Sequence, residues 1–461
     1  MAVLAFIQHR LGRTDGVSLE VDKWRSVLER NDHTVQYIAG NDDIPGGNSI
    51  PELYPFHPVT ERIIRNATRR LTDYDTPAEL IEEVERHAAV IKPQFERLFD
   101  DLGVDLILPN NLLSVGYNLP GMVALARIIE EWKLPTICHN HDFWWEDSGE
   151  VYPTCEEVVE LYRRYAPPGH PWVQHVTINR IGQNALRTHR GLESTVVPNV
   201  FNFNVPVWTE DEYNGDFRQS LGLDRNDLMF LQATRILDRK AIELAIDVVG
   251  RIGEPHWRRR LEGTLYDGRR FGPENRIALV CSGYVEGIGL TDTYTHALEQ
   301  RARRRGVELI WAGERVKHSR GRTDAGEKIY SLWDSYVQAD MVTYPSIWEG
   351  WGNQFIEAVF AHLPVVLFEY PVWKSDLAHV GFDVASLGDT IAGHDEHGLV
   401  EIGENQLELA VEQTMTFLKD ADRRKQAVES NYAVAKQHFS YDALESYIMP
   451  LVERALGTRG V

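Results

Sequence analysis

Two glutamates eight residues apart, Glu349 and Glu357, bound the most chemically suggestive stretch of the chain, Tyr344-Pro-Ser-Ile-Trp-Glu349-Gly350-Trp351-Gly352-Asn353-Gln-Phe-Ile-Glu357-Ala358. Read as a strand end, a glycine turn and an apolar helix, it can offer its carboxylates to different parts of one ligand. Gly350 and Gly352 let backbone amides approach a substrate, and the following helix turns its positive N-terminus toward it. A diphosphate or a polyhydroxylated ring meets those demands. Upstream, Ala233-Thr-Arg235-Ile-Leu-Asp-Arg-Lys240-Ala241 follows an apolar run. Arg235 supplies a planar fork of donors and Lys240 a point charge, which together can hold a pyrophosphate and stabilise negative charge growing on it.

A second group lies in the first half. His139-Asn-His141-Asp142 follows the apolar run Pro135-Thr-Ile-Cys138, and two histidines two apart share a face if the strand continues through them. A metal site or a ligand-facing pair are both open on these residues alone. Gly12-Arg-Thr-Asp15-Gly16-Val-Ser18 forms a glycine-bearing turn after the first apolar run. Phe143-Trp144-Trp145 could stack on a ring or serve packing, and packing is preferred. Asp73-Tyr-Asp75 sits in a charged stretch and reads as a solvated loop before a helix.

Short apolar runs alternating with longer amphipathic stretches are what place these residues. Val3–Ile7, Thr34–Ile38, Val104–Leu108, Pro135–Cys138, Val173–Val176 and Ser194–Val197 read as strands, with helices between them. The alternation restarts at Leu228–Gln232 and continues through Arg276–Cys281, Val307–Trp311, Met341–Tyr344 and Val365–Phe368. Trp208–Asn214 reads as linker. A chain of 461 residues exceeds one ordinary core, so two domains are expected, 1–205 and 206–440, with a helix over 441–456 that can complete the first. In open parallel sheets ligands bind beyond the carboxyl ends of the strands, where His139-Asn-His141-Asp142 falls.

Composition narrows the partners. With 43% hydrophobic and 25% charged residues and no membrane-length apolar run, a globular chain is expected, and its apolar start reads as a first strand, placing it in the cytoplasm. A net charge of −21 argues against nucleic acid and anionic membrane, so an anionic ligand needs a local basic pocket. Cys138, Cys155 and Cys281 lack metal or disulfide spacing.

The Glu349 to Glu357 segment, with its Glu-Gly-Trp-Gly turn, resembles the motif of retaining glycosyltransferase family 4. Arg235 to Lys240 resembles that family's Gly-Arg-Leu-x-x-x-Lys-Gly segment, with Thr234 and Ala241 in place of the glycines. The resemblance implies an α/β architecture of the GT-B kind, two Rossmann-like domains facing across a cleft. It implies an N-terminal acceptor-binding domain and a C-terminal sugar-nucleotide-binding domain. Carried onto this sequence, Glu349 contacts donor-sugar hydroxyls, the Gly350, Trp351, Gly352 and Asn353 backbone lies against sugar and phosphates, and Glu357 binds the ribose. Arg235 and Lys240 stabilise the leaving group, and Gly16 lies near the donor phosphates. His141 joins Arg235, Lys240 and Glu349 as the catalytic set, while Asp15, His139 and Asp142 fall to the acceptor side. Asp15 stands where the family often has a glycine.

The same resemblance implies retention at the anomeric carbon, no metal, and no cofactor beyond a nucleoside-diphosphate sugar, GDP-mannose or UDP-glucose. The expected reaction moves a hexose to a hydroxyl of a small acceptor such as a sugar or sugar acid. Expected partners are thus the sugar nucleotide and that acceptor, with a homo-oligomer left open. A lipid- or polysaccharide-directed transferase remains an alternative because Arg62, Arg65, Arg69 and Arg70 form a local basic stretch. A sugar-nucleotide-binding GT-B protein without catalysis is the alternative from another class. Lys240→Ala or Glu349→Ala is expected to stop transfer and leave the fold standing.

Overall fold

The structure is a computed structural model that describes residues 1–12, 16–44, 46–146, 151–283 and 290–457. The chain divides into two compact units, Met1–Val200 with Tyr441–Val461, and Phe201–Ser440.

In the first unit a seven-stranded parallel sheet runs β3-β2-β1-β4-β5-β6-β7. Its strands are β1 (Val3–Gln8), β2 (Thr34–Ala39), β3 (Asn48–Ser49), β4 (Leu106–Pro109), β5 (Thr136–Asn140), β6 (Val173–Thr177) and β7 (Thr195–Val196). Crossover helices α1 (Gly16–Arg30), α2 (Pro58–Thr68), α3 (Pro77–Leu102), α4 (Leu119–Trp132), α5 (Glu156–Tyr165) and α6 (Arg180–Arg190) connect them. Local signals set the ends of these helices. Thr76 caps α3 by accepting from Glu79 N, Pro77 occupies its first turn, and Gly103 closes it at φ 63°. Asn118 and Asn179 cap α4 and α6 in the same way. Arg62 pairs with Glu83 and Arg65 with Asp73, so that part of the basic stretch is met by acids of its own unit.

The second unit is built on a six-stranded sheet. It is assembled from α7 (Phe217–Ser220), β8 (Leu228–Gln232), α8 (Ile242–Gly253), α9 (Pro255–Leu261), the hairpin β9–β10 (Gly263–Thr264, Arg270–Phe271), β11 (Ile277–Cys281), α10 (Leu290–Arg305) and β12 (Glu308–Trp311). A small sheet β13–β15 (Val316–Lys317, Gly321–Arg322, Lys328–Ser331) precedes α11 (Leu332–Gln338), β16 (Met341–Tyr344), α12 (Asn353–Phe360), β17 (Val365–Leu367) and β18 (Ala385–Ser386). After β19–β20 (Gly393–His394, Val400–Glu401) come α13 (Glu404–Lys419) and α14 (Ala421–Phe439).

The sheet order is β12-β11-β8-β16-β17-β18, and all five pairings are parallel. Every residue of β8 is buried, as expected of a strand covered on both faces. Asp340, fully buried before β16, accepts from Met229 N at 2.7 Å and pairs with Arg218 and Arg269. That carboxylate fixes where β16 meets β8.

Trp208–Asn214 is not a free linker. Trp208 stacks on Trp333 with centroids 4.2 Å apart, and the buried Asn214 amide donates to Asp334 at 3.1 Å. Aromatic burial and a satisfied polar core hold this polar-looking stretch to the second unit. The helix α15 (Tyr441–Gly457) belongs to the first, where Leu444, Ile448, Leu451 and Val452 join a core with Trp24, Leu108 and Ile137. Among the described residues no helix is long and apolar enough to cross a membrane.

Candidate functional site

In the second unit the site grows from the carboxyl ends of β8 and β16. Thr343 Oγ1 donates to Gln232 Oε1 at 2.6 Å, and Gln232 Nε2 donates to Thr234 Oγ1 at 2.7 Å, a buried polar chain that ties the two ends together. A Cβ on Gly283, just past β11, would lie 1.8 Å from the Thr234 carbonyl oxygen, so only glycine lets that neighbour come so close. Arg235 follows, half-buried. Asp238–Lys240 makes one short turn, and Ala241 then enters α8 in the left-handed region at φ 44°, ψ 47°. This is one of the two places where the resembled motif carries glycine.

Ile347 N donates to Arg239 O at 3.0 Å and brings the loop after β16 onto that turn. Lys240 Nζ then donates to Glu349 Oε1, with side chains only 4% and 8% exposed. Arg239 Nη1 donates to Glu349 Oε2 at 3.2 Å and to the Trp348 carbonyl at 3.1 Å, and its guanidinium lies over the Trp348 ring at 5.2 Å. Burial alone would push the Glu349 carboxyl up. The Lys240 ammonium and the Arg239 guanidinium outweigh burial and hold it below the ordinary glutamate range, so the site keeps a buried carboxylate.

Past Glu349 the glycine turn is sterically required at Gly352. A Cβ there would come within 2.5 Å of Tyr370 Oη, whose hydroxyl donates to the Trp351 carbonyl at 2.7 Å. The Trp351 side chain is itself buried, edge-on to Phe439. Asn353 opens α12, and Glu357, one turn in, accepts from Tyr336 Oη at 3.1 Å. Gly350 lies in the turn between Glu349 and Trp351.

In the first unit, β5 carries His139 and then delivers His141 and Asp142. His139 is 1% exposed, its ring 4.6 Å from Trp24 and 4.2 Å from His141 by centroids, and burial drives its pKa well below the ordinary range. Trp24 and His141 thus enclose the His139 ring. His141 and Asp142 are half-buried. Asn111, at φ 52°, accepts from His141 N at 2.7 Å and Asp142 N at 3.3 Å, and donates to Asp142 Oδ2 at 3.2 Å. Asn110 Oδ1 lies 3.3 Å from His141 Nε2, a hydrogen bond when that nitrogen carries the proton.

Phe143 stacks on Trp145 and Trp145 on His189, so the aromatic run is packing for this loop. Glu146 accepts from Phe143 N at 2.9 Å, and burial together with Asp142 pushes its carboxyl up to about 7. Gly16 begins α1, while Asp15 lies outside the described residues. Among the described residues no three His, Cys, Asp or Glu side chains gather as metal ligands do.

The motif-based reading overlooked Arg239, Asn110 and Asn111. A cation next to Lys240 and two amides at the end of β4 were the signals on offer.

No family model matches the chain. It is 37% identical over 450 residues to the mannosylglucosylglycerate synthase of Thermotoga maritima, covering 96% of this chain and 98% of that one. It is 35% identical over 421 residues to the mannosylglucosylglycerate synthase of Petrotoga mobilis, covering 90% and 93%. The chain belongs to the mannosylglucosylglycerate synthase family. Like others of that family it is a glycosyltransferase, and its fold is GT-B. The sucrose-phosphate synthase of Thermosynechococcus elongatus matches it with a TM-score of 0.60 at 13% identity, over 99% of this chain and 100% of that one. At that identity the match bears on the fold alone, and the family is carried by the two synthases.

Proposed function

We propose that this glycosyltransferase moves a mannosyl group from a nucleoside-diphosphate mannose to a hydroxyl of glucosylglycerate, with retention and without an essential metal, in the manner of family 4. The observation that carries the reading is the buried Glu349 carboxylate, held ionised by Lys240 and Arg239 beside a glycine turn and a helix N-terminus. The mannosyl group and the glucosylglycerate acceptor are suggested by the names of the two relatives.

In this reading the second unit binds the donor. Glu349 orients sugar hydroxyls, the backbone from Gly350 to Asn353 lies along sugar and phosphates, and Glu357 takes the ribose. Arg235 and Lys240 face the diphosphate and stabilise its charge as the bond from the anomeric carbon to phosphate oxygen breaks. The acceptor oxygen forms its bond to the same face of that carbon, and its proton passes to the departing phosphate oxygen. On the first unit, His141 joins the catalytic set, His139 and Asp142 serve the acceptor, and Gly16 at the head of α1 serves the donor phosphates. The proposed compartment is the cytoplasm.

The test is incubation of the purified chain with glucosylglycerate and either GDP-mannose or UDP-glucose, following nucleotide release and the anomeric proton of the product. GDP-mannose is the expected donor. No disaccharide product with either donor would sink the reading, an inverted anomer would remove retention, and loss of activity in EDTA would remove metal independence.

A further inference from the structure

Arg239 is the more accessible of the two cations on Glu349, its side chain 29% exposed against 4% for Lys240. One end of its guanidinium is fully engaged, since Nη1 donates to both the Trp348 carbonyl and Glu349 Oε2. The flat face is engaged too, resting over an indole that is itself 39% exposed. The backbone of Arg239 is pinned by Ile347 N. Among the described residues Nε and Nη2 have no hydrogen-bond partner.

Those two nitrogens lie on one edge of the guanidinium, and their parallel N–H bonds match the two oxygens of a carboxylate or phosphate. In a chain of net charge −21, an arginine edge held rigid and left without an acid beside a ligand-binding carboxylate calls for a ligand. The pair with Glu349 occupies the other side, so an arriving anion need not break it.

We propose that the Nε–Nη2 edge of Arg239 is a substrate-oxyanion subsite that takes a carboxylate or phosphate in two parallel hydrogen bonds. The inference rests on the functional reading above and deepens it. The two sources of that chemistry are the donor diphosphate and the carboxylate of the glycerate moiety, which the experiment separates.

The full chain is compared with R239Q and R239K, each first checked for a native thermal transition. Calorimetry gives the Kd of GDP, with UDP in parallel, and kinetics give KM for glucosylglycerate and for its methyl ester. If phosphate is the anion, R239Q raises the nucleotide Kd about tenfold or more. If it is the acceptor carboxylate, nucleotide binding holds, KM for glucosylglycerate rises about tenfold, and the preference over the methyl ester disappears. R239K keeps the charge without the fork and recovers only part of the loss. Unchanged Kd and KM in R239Q, or full recovery in R239K, overturns the inference while wild-type transfer leaves the functional reading standing. A wild-type chain that makes no product overturns that reading, and the subsite with it.

Discussion

At the scale of single residues, the buried Lys240–Glu349 pair changes what its removal should do. Deleting Glu349 leaves the Lys240 ammonium buried without its acid, a loss of about 3–5 kcal/mol, whereas deleting Lys240 leaves Glu349 still paired with Arg239 and costs less. Both mutants should stop transfer, and Glu349→Ala should lower the free energy of urea unfolding by that order and by more than Lys240→Ala; a Glu349→Ala mutant of wild-type stability would contradict the burial described. The effect on activity was legible from the motif. The effect on stability was not, because these side chains meet only where the turn after β8 touches the loop after β16.

The same holds for Asn111, whose grip on His141 and Asp142 spans neighbouring strands of the sheet. Asn111→Gly keeps the left-handed backbone and removes its three hydrogen bonds with His141 and Asp142 and a fourth from Ser114, so kcat should fall by about 10- to 100-fold. Retained kcat in single-turnover assays would separate Asn111 from the chemistry. Glu146 supplies a pH signature. Its folded pKa of about 7 lies above the unfolded value, so its contribution to stability is full below the unfolded glutamate pKa and is lost as pH rises through 7. The melting temperature of Glu146→Gln should lack that decline between about pH 4.5 and 7. Parallel profiles for mutant and wild type would exclude Glu146 as its source.

At the scale of elements, Ala241 begins α8 in a conformation that costs an L-residue about 1–2 kcal/mol. Ala241→Gly should relieve that strain at some expense in unfolded-state entropy, giving a gain of up to about 1 kcal/mol with activity kept. A clear loss of stability by chemical denaturation would show that the Ala241 methyl packs better than it strains. The main strands stood out in the sequence because parallel strands buried on both faces read as unbroken apolar runs. Helices α13 and α14 did not, for a physical reason visible in α14. What it buries includes Arg424, whose guanidinium lies 3.6 Å from the Tyr266 ring centroid, and Asn431, which bonds the Asp383 backbone at both ends of its amide. Apolar periodicity does not register a helix docked by polar groups. For the same reason Trp208–Asn214 reads as linker while Asn214 is buried.

At the scale of the whole molecule, the first unit is discontinuous in sequence, and α15 closes it. Arg30 pairs with Asp442 and Glu445, Gln174 donates to the Leu451 carbonyl at 3.0 Å, and the buried apolar side chains of α15 contribute on the order of 10 kcal/mol. That is comparable with the net stability of a whole domain. A chain stopped at Ser440 should leave Met1–Val200 open to limited proteolysis while Phe201–Ser440 resists it, and equal resistance of both would refute the dependence.

Closure by α15 also sets a schedule. The helix is synthesised only after the whole of Phe201–Ser440 has been translated, roughly 10 to 50 s after the last strand of its own unit. Throughout that interval the nascent first unit presents an apolar face that chaperones can hold. A message broken anywhere in its second half yields a product marked for clearance by that same open face.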